Sequence, residues 1–198
     1  MIAGVLLAAG ESRRMGYPKP LLRYRGTTFL GHLVEVLRGQ VDPLILVLGH
    51  EADRIRKVVP TDVTIVVNPN YQLGQLSSLQ SAIRPALAGQ SAIEGALVAL
   101  VDHPCITREL ISLLIRTFEE QRPPVLIPTY RGRRGHPMIF SAPLFSELLE
   151  APLDQGARVV VRRHKALELA VEDEGILQDL DDPETYRRVT GNSVPKSV

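Results

Sequence analysis

The chain has no tryptophan, a single cysteine and few aromatic residues of any kind, and each scarcity removes a class of function. With aromatics at 5% of 198 residues, the stacking platforms that hold single-stranded nucleic acid are missing. Cys105 alone can form neither an internal disulfide nor a multi-cysteine zinc site, which agrees with a reducing, cytoplasmic setting. Charge of one sign is lacking too. With 23 basic and 22 acidic side chains the formal net charge is +1, so no global attraction to nucleic acid or a membrane surface is expected. No basic segment precedes the first apolar run, and no apolar stretch nears the roughly 18 residues that a membrane span needs. The chain therefore reads as soluble. Repeats, low-complexity tracts and linkers are absent, so one domain over residues 1–190 is expected, with a polar, frayed tail over 191–198.

What remains is an aliphatic protein with an alternating pattern. Continuous apolar runs at 2–7, 43–48, 63–67 and 95–101 read as strands buried on both faces. Between and after them, helical spacing appears over 28–37, 51–59 and 107–121, and a further helix opens after Tyr71 and runs towards Leu87. A strand is expected at 125–128. This alternation predicts an α/β fold, a three-layer, doubly wound, mostly parallel sheet of Rossmann-like type, whose ligands lie at the carboxyl ends of the strands. The residues just past those ends are therefore the ones to weigh.

The first such end is the most informative. Leu7, Ala8, Ala9 and Gly10 are small or apolar and leave backbone N–H groups uncovered, and Ser12, Arg13, Arg14 and Lys19 follow within ten residues of Ala9. Bare amides with cations suit a polyphosphate. The spacing matches neither a P-loop nor the G-x-G-x-x-G dinucleotide fingerprint. At the end of the fourth run stands Asp102-His103-Pro104, where a carboxylate fixed by an X-Pro turn suits magnesium as well as a solvated turn. Gly74-Gln75-Leu76-Ser77-Ser78 opens a helix and could cap it or touch a base or ribose. Arg131, Arg133 and Arg134 with Gly132 and Gly135 form a basic loop, either a solvated hairpin tip or an anion site. His103 has no partner visible in sequence, and Cys105 has no base nearby to activate it.

Leu7-Ala8-Ala9-Gly10-Glu11-Ser12-Arg13-Arg14-Met15-Gly16 with Pro18-Lys19 resembles the signature of nucleotidyltransferases with the nucleotide-diphospho-sugar transferase fold. The Gln75 to Ser78 stretch, the Gly135-His136-Pro137 loop and Asp154-Gln155-Gly156-Ala157-Arg158 resemble segments of the molybdenum cofactor cytidylyltransferase group. A leucine, Leu153, replaces the first glycine of that last motif. Leu177 to Tyr186 resembles the group's terminal acidic motif, with Asp182 and Thr185 departing from it.

The resemblance implies roles. Arg14 would contact the outer phosphates and Lys19 the region of the α-phosphate, while Leu7 to Gly10, Gly74, Gln75, Ser77 and Ser78 would line the nucleotide. Asp102 and Asp181 would hold magnesium, although Asp179 and Asp182 compete with Asp181 for that assignment. Arg134, Gly135, His136, Pro137 and Arg158 would face the acceptor, although a helix start explains Arg158 equally well. The implied activity is transfer of CMP from CTP to a molybdopterin-type acceptor, with a molybdoenzyme or its maturation factor as a partner and neither nucleic acid nor membrane involved. A sugar-phosphate nucleotidyltransferase and a non-catalytic pterin or nucleotide carrier are the alternatives.

Overall fold

The apolar runs become the strands of one sheet, and the computed structural model describes residues 1–86 and 93–195. In chain order the elements are β1 (Ile2–Ala8), β2 (Arg23–Tyr24), β3 (Thr27–Thr28), α1 (Phe29–Leu37), β4 (Leu44–Leu48), α2 (Ala52–Arg56), β5 (Thr64–Val67) and α3 (Gln75–Ala86). There follow β6 (Gly95–Leu100), α4 (Arg108–Gln121), β7 (Val125–Tyr130), β8 (Arg133–Arg134), β9 (Met138–Ser141), α5 (Phe145–Glu150), α6 (Arg158–Arg163), β10 (Leu167–Ala170) and α7 (Pro183–Thr190). The expected helix end at Leu87 lies outside the described residues.

Strand order is β10-β7-β9-β6-β1-β4-β5, with β8 paired to β7. The pairs β1–β4, β1–β6, β4–β5 and β7–β10 are parallel, and β9 runs antiparallel to both β6 and β7. Strands β2 and β3 form a separate two-stranded ribbon that leads into α1. Every residue of β1 is buried, as expected of a central strand covered on both faces. Alternate residues feed two cores. Leu6, Leu46 and Leu97 point to the layer of α1, α2, α4 and α7, whereas Val5, Ile45 and Val98 point to the layer of α3, α5 and α6. Burying each such aliphatic side chain is worth about 1.5–3 kcal/mol, so the period-two alternation fixes the strand register.

Helix boundaries follow their caps. The Thr28 side chain accepts from Gly31 N at 3.0 Å and Thr107 from Leu110 N at 3.2 Å, which starts α1 and α4 one residue inside the ranges read from periodicity. Helix α2 stops at Arg56, shorter than the 51–59 span expected. Strand β7 runs past Pro128 to Tyr130, because Thr129 and Tyr130 pair with Arg134 and Arg133 across a turn in which Arg131 (φ 50°) and Gly132 (φ 75°) are both left-handed. In the tail, Val194 packs against the core.

The chain winds one way from β1 through β4 to β5 and then returns to β6 on the other side. The crevice at the carboxyl ends of β1 and β6 is the resulting topological switch point.

Candidate active site

The loop after β1 is a compact turn. Met15 N and Gly16 N both donate to Ser12 O at 3.0 Å, Ser12 adopts φ 54°, and the Met15 side chain is buried in the core. Ser12 Oγ then accepts from the Lys19 backbone N at 3.1 Å, which draws the Pro18-Lys19 segment back over the strand end. These contacts aim Lys19 at the carboxylate past β6. Its Nζ lies 3.1 Å from Asp102 Oδ2 and also pairs with Asp181, which Arg14 pairs with from the other side. Asp181 reaches this point because Leu180 N donates to the Asp102 carbonyl at 2.8 Å, tying the C-terminal segment to the end of β6. Thus Arg14, Lys19, Asp102 and Asp181, spread over 168 positions of sequence, meet in one cluster.

Burial favours the neutral form of Asp181, but the hydrogen bonds and charges of Lys19 and Arg14 outweigh it, and the carboxyl is held below its usual range. Two carboxylates converging on one cation also form a hard oxygen donor set of the kind that magnesium or manganese accepts. Asp179 and Asp182 differ in this respect. Asp182 Oδ1 accepts from Glu184 N at 3.0 Å and Thr185 N at 2.9 Å, so that it caps α7, and neither residue pairs with Lys19.

Beside this cluster lies a cavity of about 250 Å³, lined by Leu7 to Gly10, Ser12, Lys19, Pro20, Tyr71, Gly74, Gln75, Ser78 and Leu100 to Asp102. A Cβ placed on Gly10 or Gly74 would meet nothing within 4 Å, so both backbones are open to a ligand, and Gly74 has φ 100°. Of the residues expected at a nucleotide, two do not line it: Arg14, which pairs with Asp181 at its side, and Ser77, which is turned away. Its Oγ donates to Gly74 O at 2.8 Å and accepts from Asn68 Nδ2 at 2.9 Å, closing the turn that precedes α3. Asn68 is almost wholly buried; it also donates to Ser78 Oγ at 3.0 Å and accepts from Asn70 N at 2.9 Å.

A second, larger cavity of about 470 Å³ shares Leu7, Gln75 and Leu100 with the first. Its floor is apolar, with Leu79, Val98, Ile127, Met138 and Phe140, and its rim carries Arg134, Gly135, His136, Asp154, Gln155, Gly156 and Arg158. Pro137 does not line it. Arg134 is held by Glu168 at 2.5–2.9 Å, and Arg158 Nε donates to Gln155 O at 2.9 Å as α6 begins, so that helix start and cavity rim coincide at this residue. A side chain on Gly135 would strike the Ile176 carbonyl at 2.5 Å, and His136 N donates to that same carbonyl at 3.0 Å. Burial, with a smaller contribution from the neighbouring His103, pushes His136 down to about 4, so its ring is neutral at pH 7. The His103 ring stands 5.3 Å from that of His136, and its buried Nδ1 has no partner among the described residues.

Sequence reasoning passed over Tyr71 and Pro20 as cavity walls, and the aliphatic floor of the larger cavity. A signal existed only for Tyr71, which lies between the third strand and the glycine turn.

The description "MobA-like NTP transferase domain" fits a model that matches residues 4–168, most of the chain. The chain belongs to this family. It is 25% identical to the molybdenum cofactor cytidylyltransferase of Escherichia coli (strain K12), over 92% of each protein. It is also 33% identical to the nicotine blue oxidoreductase of Paenarthrobacter nicotinovorans, over 95% of this chain and 96% of that one. Among solved structures, that of Rv0371c from Mycobacterium tuberculosis H37Rv superposes with a TM-score of 0.82 at 33% identity, covering 96% of this chain and 98% of the other. The manganese complex of the same protein gives 0.77 at 32% identity over the same shares. The protein is a nucleotidyltransferase of the MobA-like family, with the nucleotide-diphospho-sugar transferase fold.

Proposed function

We propose that this MobA-like enzyme transfers CMP from CTP to the phosphate of a molybdopterin-type acceptor and releases pyrophosphate, with magnesium held by Asp102 and Asp181. The observation that carries the reading is the joining of two cavities at Leu7, Gln75 and Leu100. One has the Arg14, Lys19, Asp102 and Asp181 cluster at its side, and the other has Arg134, His136 and Arg158 on its rim. A donor in the first and an acceptor in the second would meet at that seam.

In this scheme Lys19 and Arg14 leave their carboxylates for phosphate oxygens and draw the triphosphate over the open backbone at Gly10. The acceptor, fixed by Arg134 and Arg158, presents an already ionised phosphate oxygen to the α-phosphorus. A new P–O bond forms there as the bond to the β-phosphate oxygen breaks, and pyrophosphate departs with the electron pair. No side chain has to take a proton, so a neutral His136 can serve as a hydrogen-bonding partner without acting as a base. A bound divalent cation supplies further charge neutralisation of the polyphosphate. The oxygen donors of Asp102 and Asp181 support that assignment, and so does the manganese complex of the related Rv0371c. The cluster of Arg14, Lys19, Asp102 and Asp181 favours nucleotidyl transfer over the redox activity in the name of one relative.

Incubating the protein with molybdopterin, magnesium and each of the four ribonucleoside triphosphates, while following pyrophosphate, tests the reading. CTP should be the productive donor. Release from GTP alone, or with a sugar phosphate in place of the pterin, would overturn the substrate assignment. Asp102→Asn should lower turnover by about 10²-fold or more, and near-normal turnover would remove Asp102 from the metal site.

A further inference from the structure

The smaller cavity is polarised. Its charged side chains, Lys19 and Asp102, belong to the β6 side of β1, where Asp181 and Arg14 also gather. Away from them the lining is neutral: Tyr71, Gly74 and Ser78 near the end of β4, and Gln75 at the seam with the larger cavity. A nucleotide whose triphosphate lies on the cations must extend its ribose and base towards this neutral end. Tyr71 is the only aromatic side chain among the described residues that lines the cavity.

The fold holds this ring in place. A Cβ on Gly49, just past β4, would lie 2.6 Å from Tyr71 Cβ and 2.7 Å from Cγ, so the glycine admits the ring against the backbone. The Tyr71 hydroxyl lies 3.4 Å from His50 Nδ1, which orients its far edge. The segment on either side is braced by the buried Asn68 amide through Asn70 and Ser78. Yet the residue is partly exposed, and it lines both the cavity and a neighbouring groove formed with Gly10 to Arg13 and Gln72. An aromatic side chain fixed at its base and at its hydroxyl, and lining a cavity beside clustered cations, has the form of a stacking platform.

We infer that Tyr71 is the residue on which the nucleoside of the donor rests, stacking against the base or ribose, with His50 holding its hydroxyl edge. This rests on the nucleotidyltransferase reading of the site and assigns a role that the phosphate loop cannot supply. Stacking is tolerant of base identity, since every base has a π-face. Tyr71 therefore contributes affinity for any nucleoside triphosphate, and choice among bases falls to the polar groups that line the cavity beside it.

The test compares a nucleotide with its phosphates alone. Full-length wild type, Tyr71→Ala, Tyr71→Leu and Tyr71→Phe are titrated calorimetrically with CTP, with GTP and with tripolyphosphate, each with magnesium, after thermal melts confirm folding. Tyr71→Ala should weaken the preferred nucleotide by about tenfold or more and leave tripolyphosphate within about twofold, and Tyr71→Phe should stay close to wild type. Tyr71→Leu keeps the bulk without the π-face and should behave as the alanine variant does, which covers the case in which alanine unfolds the turn. Equal weakening of nucleotide and tripolyphosphate, or a leucine variant that binds nucleotide as the wild type does, would overturn the inference. A wild type that binds neither probe would overturn the nucleotide reading of the cavity itself, and the role of Tyr71 with it.

Discussion

Replacing Lys19 with methionine should strengthen the hold of this protein on a divalent cation offered without nucleotide, although it removes a residue assigned to the donor site. The reason is that one ammonium serves two carboxylates: Lys19 Nζ lies 3.1 Å from Asp102 Oδ2 and pairs with Asp181 as well, and the lysine side chain is only 12% exposed. Unit charges at such a separation attract by about 5 kcal/mol at an effective dielectric constant near 20, and desolvation cancels much of that. Exposed pairs are worth less than about 1 kcal/mol, and breaking a fully buried one costs about 3–5 kcal/mol, so this half-buried arrangement falls near 1–3 kcal/mol. A cation bridging Asp102 and Asp181 must displace the ammonium first, and each 1.4 kcal/mol is about a factor of ten in affinity. Lys19→Met should therefore bind manganese alone about tenfold or more tightly than the wild type. In the wild type, tripolyphosphate offers Lys19 and Arg14 other oxygens and should raise manganese affinity by a similar factor, a coupling that the variant keeps only in the part due to Arg14. Loss of the free-ion manganese resonance on titration measures both quantities, with and without tripolyphosphate. A variant that binds manganese no better than the wild type would refute the reasoning, since it would mean that the lysine does not compete for those carboxylates.

Two further outcomes follow from the same geometry. Asn68→Ala leaves the Asn70 N–H and the hydroxyls of Ser77 and Ser78 without their buried partner, which should cost about 2–3 kcal/mol in urea denaturation, and a loss below about 0.5 kcal/mol would show that the turn does not depend on it. For His136, held by burial at about 4 against about 6.5 in the unfolded chain, the unfolded state binds the extra proton between those values, so stability is complete above pH 6.5 and declines as the pH falls towards 4. The decline from this one ring is at most about 3 kcal/mol; His136→Gln should flatten that part of the urea-midpoint profile, and an unchanged slope would show that the ring is not kept neutral.

Strands β1, β4 and β6 were legible because a central strand buried on both faces has to be apolar throughout, whereas β5, read as equally buried, lies at the sheet edge with Thr64 and Val67 exposed. The loop after β1 was legible for a related reason: Gly10 to Lys19 are contiguous, and although Met15 among them is buried, Arg13, Arg14 and Lys19 are not core residues. Asp182 was readable as a cap from the proline after it, and the structure gives it the caps to Glu184 N and Thr185 N. By contrast, β9 escaped notice because four residues, Met138–Ser141, carry too little pattern to separate an antiparallel insertion from a loop. Ser77 and Ser78 are identical in type and adjacent in sequence, yet about 100° of helical rotation turns Ser78 to the cavity and Ser77 to the Gly74 carbonyl. The larger cavity is harder still, since its aliphatic floor draws on β6, β7, β9 and α3, and such residues read in sequence as core wherever they fall. A charged site declares itself because charge in a crevice requires a reason, whereas an apolar site is chemically the same as the interior it opens from. The larger cavity, proposed above as the acceptor side, therefore became visible only once β9 placed Met138 and Phe140 opposite α3, and on that proposal its substrate is to be sought by shape and binding, with Arg134 and Arg158 marking where an anionic end would lie.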